Sequence, residues 1–337
     1  MRRAVLLLVL IALLGAGARY AFVALLERPA PLLSGPVRID VAPGEAFRAT
    51  AAKLEAAGLV PSAAALSLWA RFEGIDRQIK HGAYQFVEPL SPIALVEKMR
   101  SGEALMMHVT LPEGATAHDL VVALEQSGLG PVQKFAPLLR DAAFARSLGV
   151  SAGALEGYLF PDTYFFSPLD SPQKIIASFV VRFHKVFTPE MATQAEKDGF
   201  TVHQIVTLAS VIEKETARED ERPLVSAVFR NRLRLGMPLQ ADPTVIYGIE
   251  NFNGNLTRKD LETRTPYNTY TEPGLPPGPI ANPGRSALLA ALHPAQVSYL
   301  YFVARDDGTH EFNADLAAHN RAVNRYQRPR QARMQAG

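Results

Sequence analysis

The sequence predicts an α+β protein with an N-terminal transmembrane helix, a small module of strands and helices, and a larger mixed domain. Three features predict this organisation: an apolar N-terminal run, a strand–turn–helix pattern that recurs, and a change after about residue 134 to helices and then to loops rich in proline and glycine. We expect these boundaries: a cytoplasmic tail at 1–3, the transmembrane helix at 4–26, a linker at 27–36, the module at 37–134, the larger domain at 135–327 and a polar tail at 328–337.

The apolar run follows two arginines, Arg2 and Arg3, and is interrupted only by Arg19. About 23 residues in a helix extend for about 34 Å, which is enough to cross a bilayer. Positive residues before the run predict a cytoplasmic N-terminus, with the rest of the chain on the other side of the membrane.

Two other interpretations of this run stay open. Ala16-Gly17-Ala18 fits the small-residue site at which a signal peptide is cleaved. The apolar stretch that restarts at Tyr20 favours an anchor instead. A buried core helix is the third interpretation, but a terminal run that opens with two arginines is unusual in a core.

The composition narrows the classes of function. The 337 residues are 48% apolar, so a large core can form. A formal net charge of +2 is too balanced to indicate nucleic acid as the main partner. The absence of cysteine excludes disulfides, thiolate metal sites and thiol nucleophiles.

Residues 37–41 and 107–111 both alternate apolar and polar side chains, as half-buried strands do. Each run is followed by a turn, at Gly44 and at Gly114, and then by a helical pattern. The two runs are about 70 residues apart without a gap, which indicates an internal repeat. Two unrelated strand–helix units that share common residues are the alternative.

The segment at 156–164, EGYLFPDTY, places aromatic residues around two carboxylates. It is either a structural corner or part of a platform for sugars, because aromatic faces stack on the apolar faces of sugar rings.

A second segment, LASVIEKET at 208–216, has a helical pattern with one apolar stripe. Glu213 and Glu215 lie at opposite borders of that stripe. A carboxyl at such a border is partly desolvated, which raises its pKa toward the range of a general acid. A solvated helix flank, paired with Arg218 or Arg222, is equally compatible with the pattern, and the helical wheel does not choose between the two glutamates.

Two later loops carry amide, hydroxyl, carboxylate and phenol groups that suit the hydroxyl and acetamido groups of an amino sugar. A long polar loop is costly to order without a function, although a rigid lid or domain edge is the alternative. The candidate binding residues in these loops are Gln240, Asp242, Thr244, Tyr267, Asn268 and Tyr270.

Other chemistries have little support in the sequence. No serine or threonine lies in a nucleophile elbow, no glycine-rich phosphate loop is present, and the histidines do not form a zinc pattern. His293, His310 and His319 are too scattered to predict a site. We expect no metal and no cofactor.

Four long segments in a fixed order are similar to one known family. They begin at Glu156 (EGYLFPDTY), Leu208 (LASVIEKET), Phe229 (FRNRLRLGMPLQADPTVIYG) and Tyr267 (YNTY, continuing to GLPPGPIANPG). Together with the apolar N-terminus and the length, they make the chain resemble the endolytic murein transglycosylases of the MltG type, the YceG-like family.

The resemblance implies cleavage of the bond between N-acetylmuramic acid and N-acetylglucosamine within nascent peptidoglycan strands, which leaves 1,6-anhydro ends and limits elongation. It implies that the first acid of the EKE triplet, Glu213, is catalytic. A looser similarity to other lytic transglycosylases implies that Gln240, Tyr267 and Asn268 contact the sugars.

The resemblance also implies a LysM-like module, a single-pass location in the inner membrane with a periplasmic catalytic domain, and penicillin-binding proteins as partners. Two alternatives stay open. A muramidase would hydrolyse the same bond and needs a second carboxylate, for which Asp242 is the candidate. A non-catalytic scaffold would bind peptidoglycan without cutting it.

Overall fold

The computed structural model describes residues 2–29, 33 and 35–335. The predicted linker at 27–36 and the tails at both ends lie partly outside these residues. The fold is mixed α+β, as the sequence predicts. The chain divides into two compact units, Met1–Met107 with Phe165–Asp170, and His108–Tyr164 with Ser171–Gly337. The finer domain boundaries expected from the sequence stay a prediction.

The first unit contains, in order, α1 (Arg2–Leu26), β1 (Val37–Val41), α2 (Phe47–Ala56), α3 (Ala63–Phe72), β2 (Gly82–Phe86) and α4 (Pro92–Ser101). The second unit begins within β3 (Met107–Leu111) and continues with α5 (Ala117–Gln126), α6 (Val132–Leu139), α7 (Ala142–Ser147), the first three residues of β4 (Asp162–Phe166), α8 (Pro172–Val186) and α9 (Pro189–Lys197). It ends with α10 (Val202–Glu215), α11 (Arg222–Arg234), α12 (Asp242–Tyr247), α13 (Arg258–Glu262), α14 (Arg285–Leu292), β5 (Tyr301–Ala304), β6 (His310–Asn313) and α15 (Leu316–Gln335).

Helix α1 is the one helix in the described part of the chain that is long and apolar enough to cross a bilayer. Most of its apolar side chains are exposed, from Val5 to Leu14 above all. Its last residue, Leu26, is fully buried in the core of the first unit, together with Leu54 and Leu66. The end of α1 is therefore part of that unit's hydrophobic core.

The internal repeat is present in the fold. Strand β3 and helix α5 have the bounds of β1 and α2 shifted by 70 residues, and β4 has the bounds of β2 shifted by 80. Strand β1 pairs antiparallel with β2, and β3 pairs with β4. Each copy is thus a strand, two helices and a returning strand, and α7 occupies the extra length of the second copy.

Helix α10 lies at the centre of the second unit, packed against α11 and α14. It begins with a capping box, in which the hydroxyl of Thr201 accepts a bond from the Gln204 N–H and the Gln204 side chain accepts one from the Thr201 N–H. All of its residues from Ile205 to Ile212 are buried. A central, well-capped helix of this kind gives the residues at its C-terminal end fixed positions.

The C-terminal strands β5 and β6 form an antiparallel hairpin, with Tyr301 opposite Asn313. Helix α15 packs against both strands. It continues through Gln335, so part of the expected polar tail is helical.

Candidate active site

The two glutamates at the end of α10 lie in different surroundings. Glu213 forms an ion pair with Arg222, with 2.6 Å between Oε1 and Nη2, and its Oε2 accepts a hydrogen bond from the Gly284 N–H at 2.9 Å. The side chains of Glu213 and Arg222 are only 5% and 4% exposed. Both oxygens of Glu213 are therefore occupied by protein donors.

The surroundings of Glu213 both raise and lower the pKa of its carboxyl. Burial raises its pKa above the ordinary value, while the bond from Gly284 and the charge of Arg222 act against that rise. Arg222 also lies 3.6 Å from the carboxylate of Glu113, so two acids share one guanidinium. This arrangement is an ion-pair network, buried at Glu213 and Arg222 and exposed at Glu113, that ties α10 to α11 and to the start of α14.

Glu215 lines an open cleft of about 370 Å³, which we call the Glu215 cleft. Polar and ionisable side chains surround the carboxyl there, namely those of Arg232, Gln240, Asp242, Tyr270, His310 and His319. The cleft thus contains one of the two candidate acids and three of the six candidate binding residues, Gln240, Asp242 and Tyr270. Glu213 is not among the residues that line it.

The pKa of Glu215 is raised to about 8, first because the carboxyl is buried and second because the charge of Asp242 disfavours ionisation. The charge of Arg232 lowers it, but less strongly. A carboxyl with a pKa near 8 is protonated at neutral pH and can donate a proton.

Asp242 and Tyr270 face each other in the cleft. The Tyr270 hydroxyl donates a hydrogen bond to Asp242 Oδ1 over 2.5 Å. Asp242 is the first residue of α12, where a negative side chain interacts favourably with the helix dipole. The acid is held in place by the phenol and keeps a second oxygen for a ligand.

Arg232 fixes the loop that precedes α12. Its Nη1 donates to the Leu239 carbonyl at 2.8 Å, and its Nε donates to the Leu300 carbonyl at 2.7 Å. Within this loop Gln240 has φ 53°, a left-handed conformation that costs a non-glycine residue of order 1 kcal/mol. Strain at a residue that lines a cleft is consistent with a functional position.

A second set of bonds joins this loop to the loop that carries Tyr270. The Ala241 N–H donates to Thr269 Oγ1 at 3.0 Å, and the Gln240 N–H donates to the Thr269 carbonyl at 3.0 Å. Thr244 is fully buried and donates to the Ala241 carbonyl. Thr244, one of the predicted binding residues, therefore supports the cleft and does not line it.

The other two predicted binding residues also lie outside the Glu215 cleft. Asn268 is fully buried, and its amide donates to three backbone carbonyls, including that of Thr263 at 2.7 Å. Tyr267 packs on Tyr247, with 4.9 Å between ring centroids. Contact of these two side chains with a sugar stays a prediction.

The EGYLFPDTY segment forms a structural corner. The Asn282 Oδ1 accepts bonds from the N–H groups of Gly157 and Leu159 at 2.9 and 3.0 Å. Tyr158 is buried, and its hydroxyl lies 2.9 Å from His203 Nδ1. This segment is thus held by residues far along the chain, and its aromatic rings fill the core.

Glu156 from the same segment lines a separate cleft of about 630 Å³. Its carboxyl accepts bonds from the Ala117 N–H and the Tyr247 hydroxyl, and burial raises its pKa to about 7. It is the second carboxyl with a strongly raised pKa that lines a cleft in this unit.

His310 and His319 are too scattered in the sequence to predict a site, but both line the Glu215 cleft. His310 Nδ1 lies 2.6 Å from the carboxylate of Glu221. His319 stacks on Tyr301, and burial lowers its pKa, so this ring is neutral near pH 7. Only the β5–β6 hairpin and α15 bring these histidines to the cleft.

The fold and the cleft together define an α+β protein in which a carboxyl of raised pKa, at the end of a buried helix, lines an open polar cleft. The sequence profile of the YceG-like family matches residues 39–325. The chain belongs to the YceG-like family.

Curated relatives share this similarity along most of the chain. An endolytic murein transglycosylase of Bacillus subtilis (strain 168) is 32% identical over 305 residues, which cover 86% of this chain and 84% of the relative. An endolytic murein transglycosylase of Streptococcus pneumoniae serotype 2 is 28% identical over 331 residues, which cover 88% of this chain and 60% of the relative.

A solved structure is similar as well. The 2.6 Å crystal structure of a yceG-like protein from Listeria monocytogenes superposes with a TM-score of 0.59 at 28% identity, covering 86% of this chain and 99% of that one.

Proposed function

We propose that this chain is an endolytic murein transglycosylase that cuts peptidoglycan strands at the bond between N-acetylmuramic acid and N-acetylglucosamine. The Glu215 cleft is the observation that supports this activity most directly, since it combines a carboxyl of pKa about 8 with polar groups suited to sugars. The names of the curated relatives support the same activity.

In this proposal Glu215 is the acid and then the base. Its proton passes to the oxygen of the glycosidic bond as that bond breaks, while the acetamido group of the muramic acid stabilises the positive charge at the anomeric carbon. The Glu215 carboxylate then takes the proton from the C6 hydroxyl, whose oxygen closes on the anomeric carbon. The product is a 1,6-anhydro end, no water is consumed, and the glutamate returns to its protonated form.

The choice of Glu215 departs from the sequence resemblance, which implies Glu213. The geometry favours Glu215 because Glu213 is paired with Arg222, accepts a bond from Gly284, and does not line the cleft. A positioned acid–base group contributes about 10²–10⁴-fold to rate, but only within reach of the substrate. We assign Glu213 to holding the end of α10 in place.

The other predicted binding residues take two roles in the proposal. Gln240, Asp242 and Tyr270 contact the sugars because they line the cleft with Glu215. Thr244, Tyr267 and Asn268 position the loops that carry these three side chains.

We further propose that α1 anchors the chain in the inner membrane, with a cytoplasmic N-terminus and a periplasmic catalytic part. The length and apolar surface of α1, and the arginines before it, support an anchor. The strand–helix module is LysM-like in this proposal. An anchored enzyme reaches only strands near the membrane, so it limits the length of nascent strands beside the penicillin-binding proteins that synthesise them.

The test is digestion of purified peptidoglycan by the full chain in detergent, with mass spectrometry of the released fragments. We expect internal cuts and 1,6-anhydromuramyl ends. Reducing muramyl ends would instead identify a hydrolase, with Asp242 as the second carboxylate. Release of nothing by a folded protein, in a reaction that a known transglycosylase completes, would support a scaffold.

A further inference from the structure

A cleft in the first unit lies at the beginning of α2 and takes no part in the proposed chemistry. Its volume is about 540 Å³. We call it the α2 cleft, and the lining residues that matter here are Phe47, Arg48, Ser67, Arg71, Asp76 and Arg77.

Three of these residues are arginines without an acidic partner. Arg48, Arg71 and Arg77 are exposed, and none forms an ion pair with a carboxylate in the described part of the chain. Arginines that converge on one cleft without neutralisation repel one another, which favours binding of an anion.

The acidic groups at this cleft do not neutralise the positive charge of the three arginines. Glu45 is engaged by Lys53, with 2.7 Å between Oε2 and Nζ, and accepts a second bond from the Thr50 hydroxyl. Asp76 is the other acid that lines the cleft, and His81 lies there as well. Lys53 neutralises Glu45, so the three arginines face one further carboxylate and keep an excess of positive charge.

The backbone at the start of α2 also supplies hydrogen-bond donors at this cleft. Helix α2 has ten residues and no side-chain cap, because its N-cap residue is Ala46. The N–H groups of Phe47 and Arg48, two residues that line the cleft, therefore have no partner from a capping side chain. The hydroxyl oxygen of Ser67 is buried and has no hydrogen-bond partner among the described residues.

The second copy of the repeat holds a carboxyl group in the equivalent place. Ala117 stands 70 residues after Phe47, at the same position of its helix. The Ala117 N–H donates to both oxygens of the Glu156 carboxylate, at 2.9 and 3.2 Å. The residue 80 positions before Glu156 is Asp76, which has a shorter side chain and forms no such bond with α2 in the described structure. The first copy keeps the uncapped helix start and lacks the internal carboxyl group that occupies it in the second copy.

We propose that the α2 cleft binds a phosphate or diphosphate group. Three guanidinium groups, a helix N-terminus and a free hydroxyl offer more donors than one carboxylate can accept, whereas a phosphate has three strongly accepting oxygens and two negative charges. A guanidinium group can donate two parallel hydrogen bonds to two oxygens of one phosphate. The volume leaves room for the molecule that carries the phosphate, either a soluble compound or a lipid headgroup.

The experiment is calorimetric titration of the full chain in detergent with sodium pyrophosphate and, separately, with dioctanoyl phosphatidic acid in the same micelles. Saturable binding of either probe at one site is expected. Arg48→Gln and Arg71→Gln should each weaken it about tenfold or more, since each removes a charge-assisted contact. Asp76→Asn should strengthen it. Binding of both probes identifies the phosphate group alone as the ligand, and binding of phosphatidic acid only identifies a lipid headgroup.

Arg38→Gln is the matched control, because Arg38 belongs to the same unit but is paired with Asp40 at 2.7 Å, outside the cleft. The control should bind both probes as the wild type does. The proposal is overturned if neither probe binds, if Arg38→Gln weakens binding as much as Arg48→Gln, or if a muramyl peptide binds at this site and pyrophosphate does not displace it. Unchanged thermal melting of each variant excludes misfolding as the cause of a loss.

Discussion

Arg222 donates a hydrogen bond to Glu213 over 2.6 Å, and both side chains are almost completely removed from solvent. This pair separates the roles of two glutamates that stand two residues apart on one helix. Glu213 forms an internal ion pair, whereas Glu215 lines a cleft and has a raised pKa.

Replacement of Glu213 by glutamine should destabilise the protein strongly. Arg222 would remain buried without its counter-charge, and its Nε and Nη1 already lack partners among the described residues. Loss of one partner of a buried pair costs about 3–5 kcal/mol. Thermal or denaturant unfolding in detergent measures the loss. A variant that unfolds with the wild-type midpoint would show that the pair is not formed.

Replacement of Glu215 by glutamine should have the opposite effect on stability at alkaline pH. The folded-state pKa of Glu215, about 8, lies above the ordinary value of 4.5, so the folded state binds more protons between these values. Wild-type stability therefore falls as pH rises from about 4.5 to about 8. Glu215→Gln lacks this loss and should be more stable than wild type above pH 8, by a few kcal/mol at most.

The measurement is a series of melting curves at several pH values for both proteins. The two curves should coincide below pH 4.5 and separate above pH 8, and Glu156 contributes equally to both. A constant difference across the whole range would mean that the pKa of Glu215 is not raised.

Asp242→Asn should move the alkaline limb of the activity profile to lower pH. The charge of Asp242 is the second cause of the raised pKa of Glu215, so its removal lowers that pKa and the acid form is lost earlier. The pH dependence of peptidoglycan cleavage by the variant and the wild type checks this shift. An unshifted limb, with only a lower maximum, would assign Asp242 to substrate binding alone.

Asn282→Ala should cost about 3 kcal/mol or more of stability. The Asn282 side chain accepts bonds from Gly157 and Leu159 and donates to the Ala115 carbonyl, all in a fully buried position. Its removal leaves several buried polar groups unpaired, and each costs about 1–3 kcal/mol. Denaturant unfolding of the variant is the check, and a change below 1 kcal/mol would contradict this role.

Local signals were enough to predict most of the helices and strands. Helices α3 and α8 begin directly after Ser62 and Ser171, whose side chains accept a hydrogen bond from the first turn, and serine is a common N-cap residue. The recurrence of β1 and α2 as β3 and α5 was also visible, since strand alternation and turn glycines repeat in register.

The identity of the acid in the cleft could not be predicted from periodicity. A helical wheel places Glu213 and Glu215 at two borders of one apolar stripe but does not show what covers each border. Arg222 from α11 covers Glu213, while the loop at 238–242 and the C-terminal hairpin form a cleft at Glu215. These partners are distant in sequence, and so are His310 and His319, which no sequence pattern connected with the site.

The account is tested most directly by comparing Glu215→Gln with Glu213→Gln in the cleavage of purified peptidoglycan, at a temperature at which circular dichroism shows both variants folded. We predict that Glu215→Gln loses about 10²–10⁴-fold in rate, while Glu213→Gln stays within about tenfold of the wild type. A folded Glu213→Gln variant without activity, beside a Glu215→Gln variant that still forms anhydro ends, would contradict the assignment of the acid to the cleft.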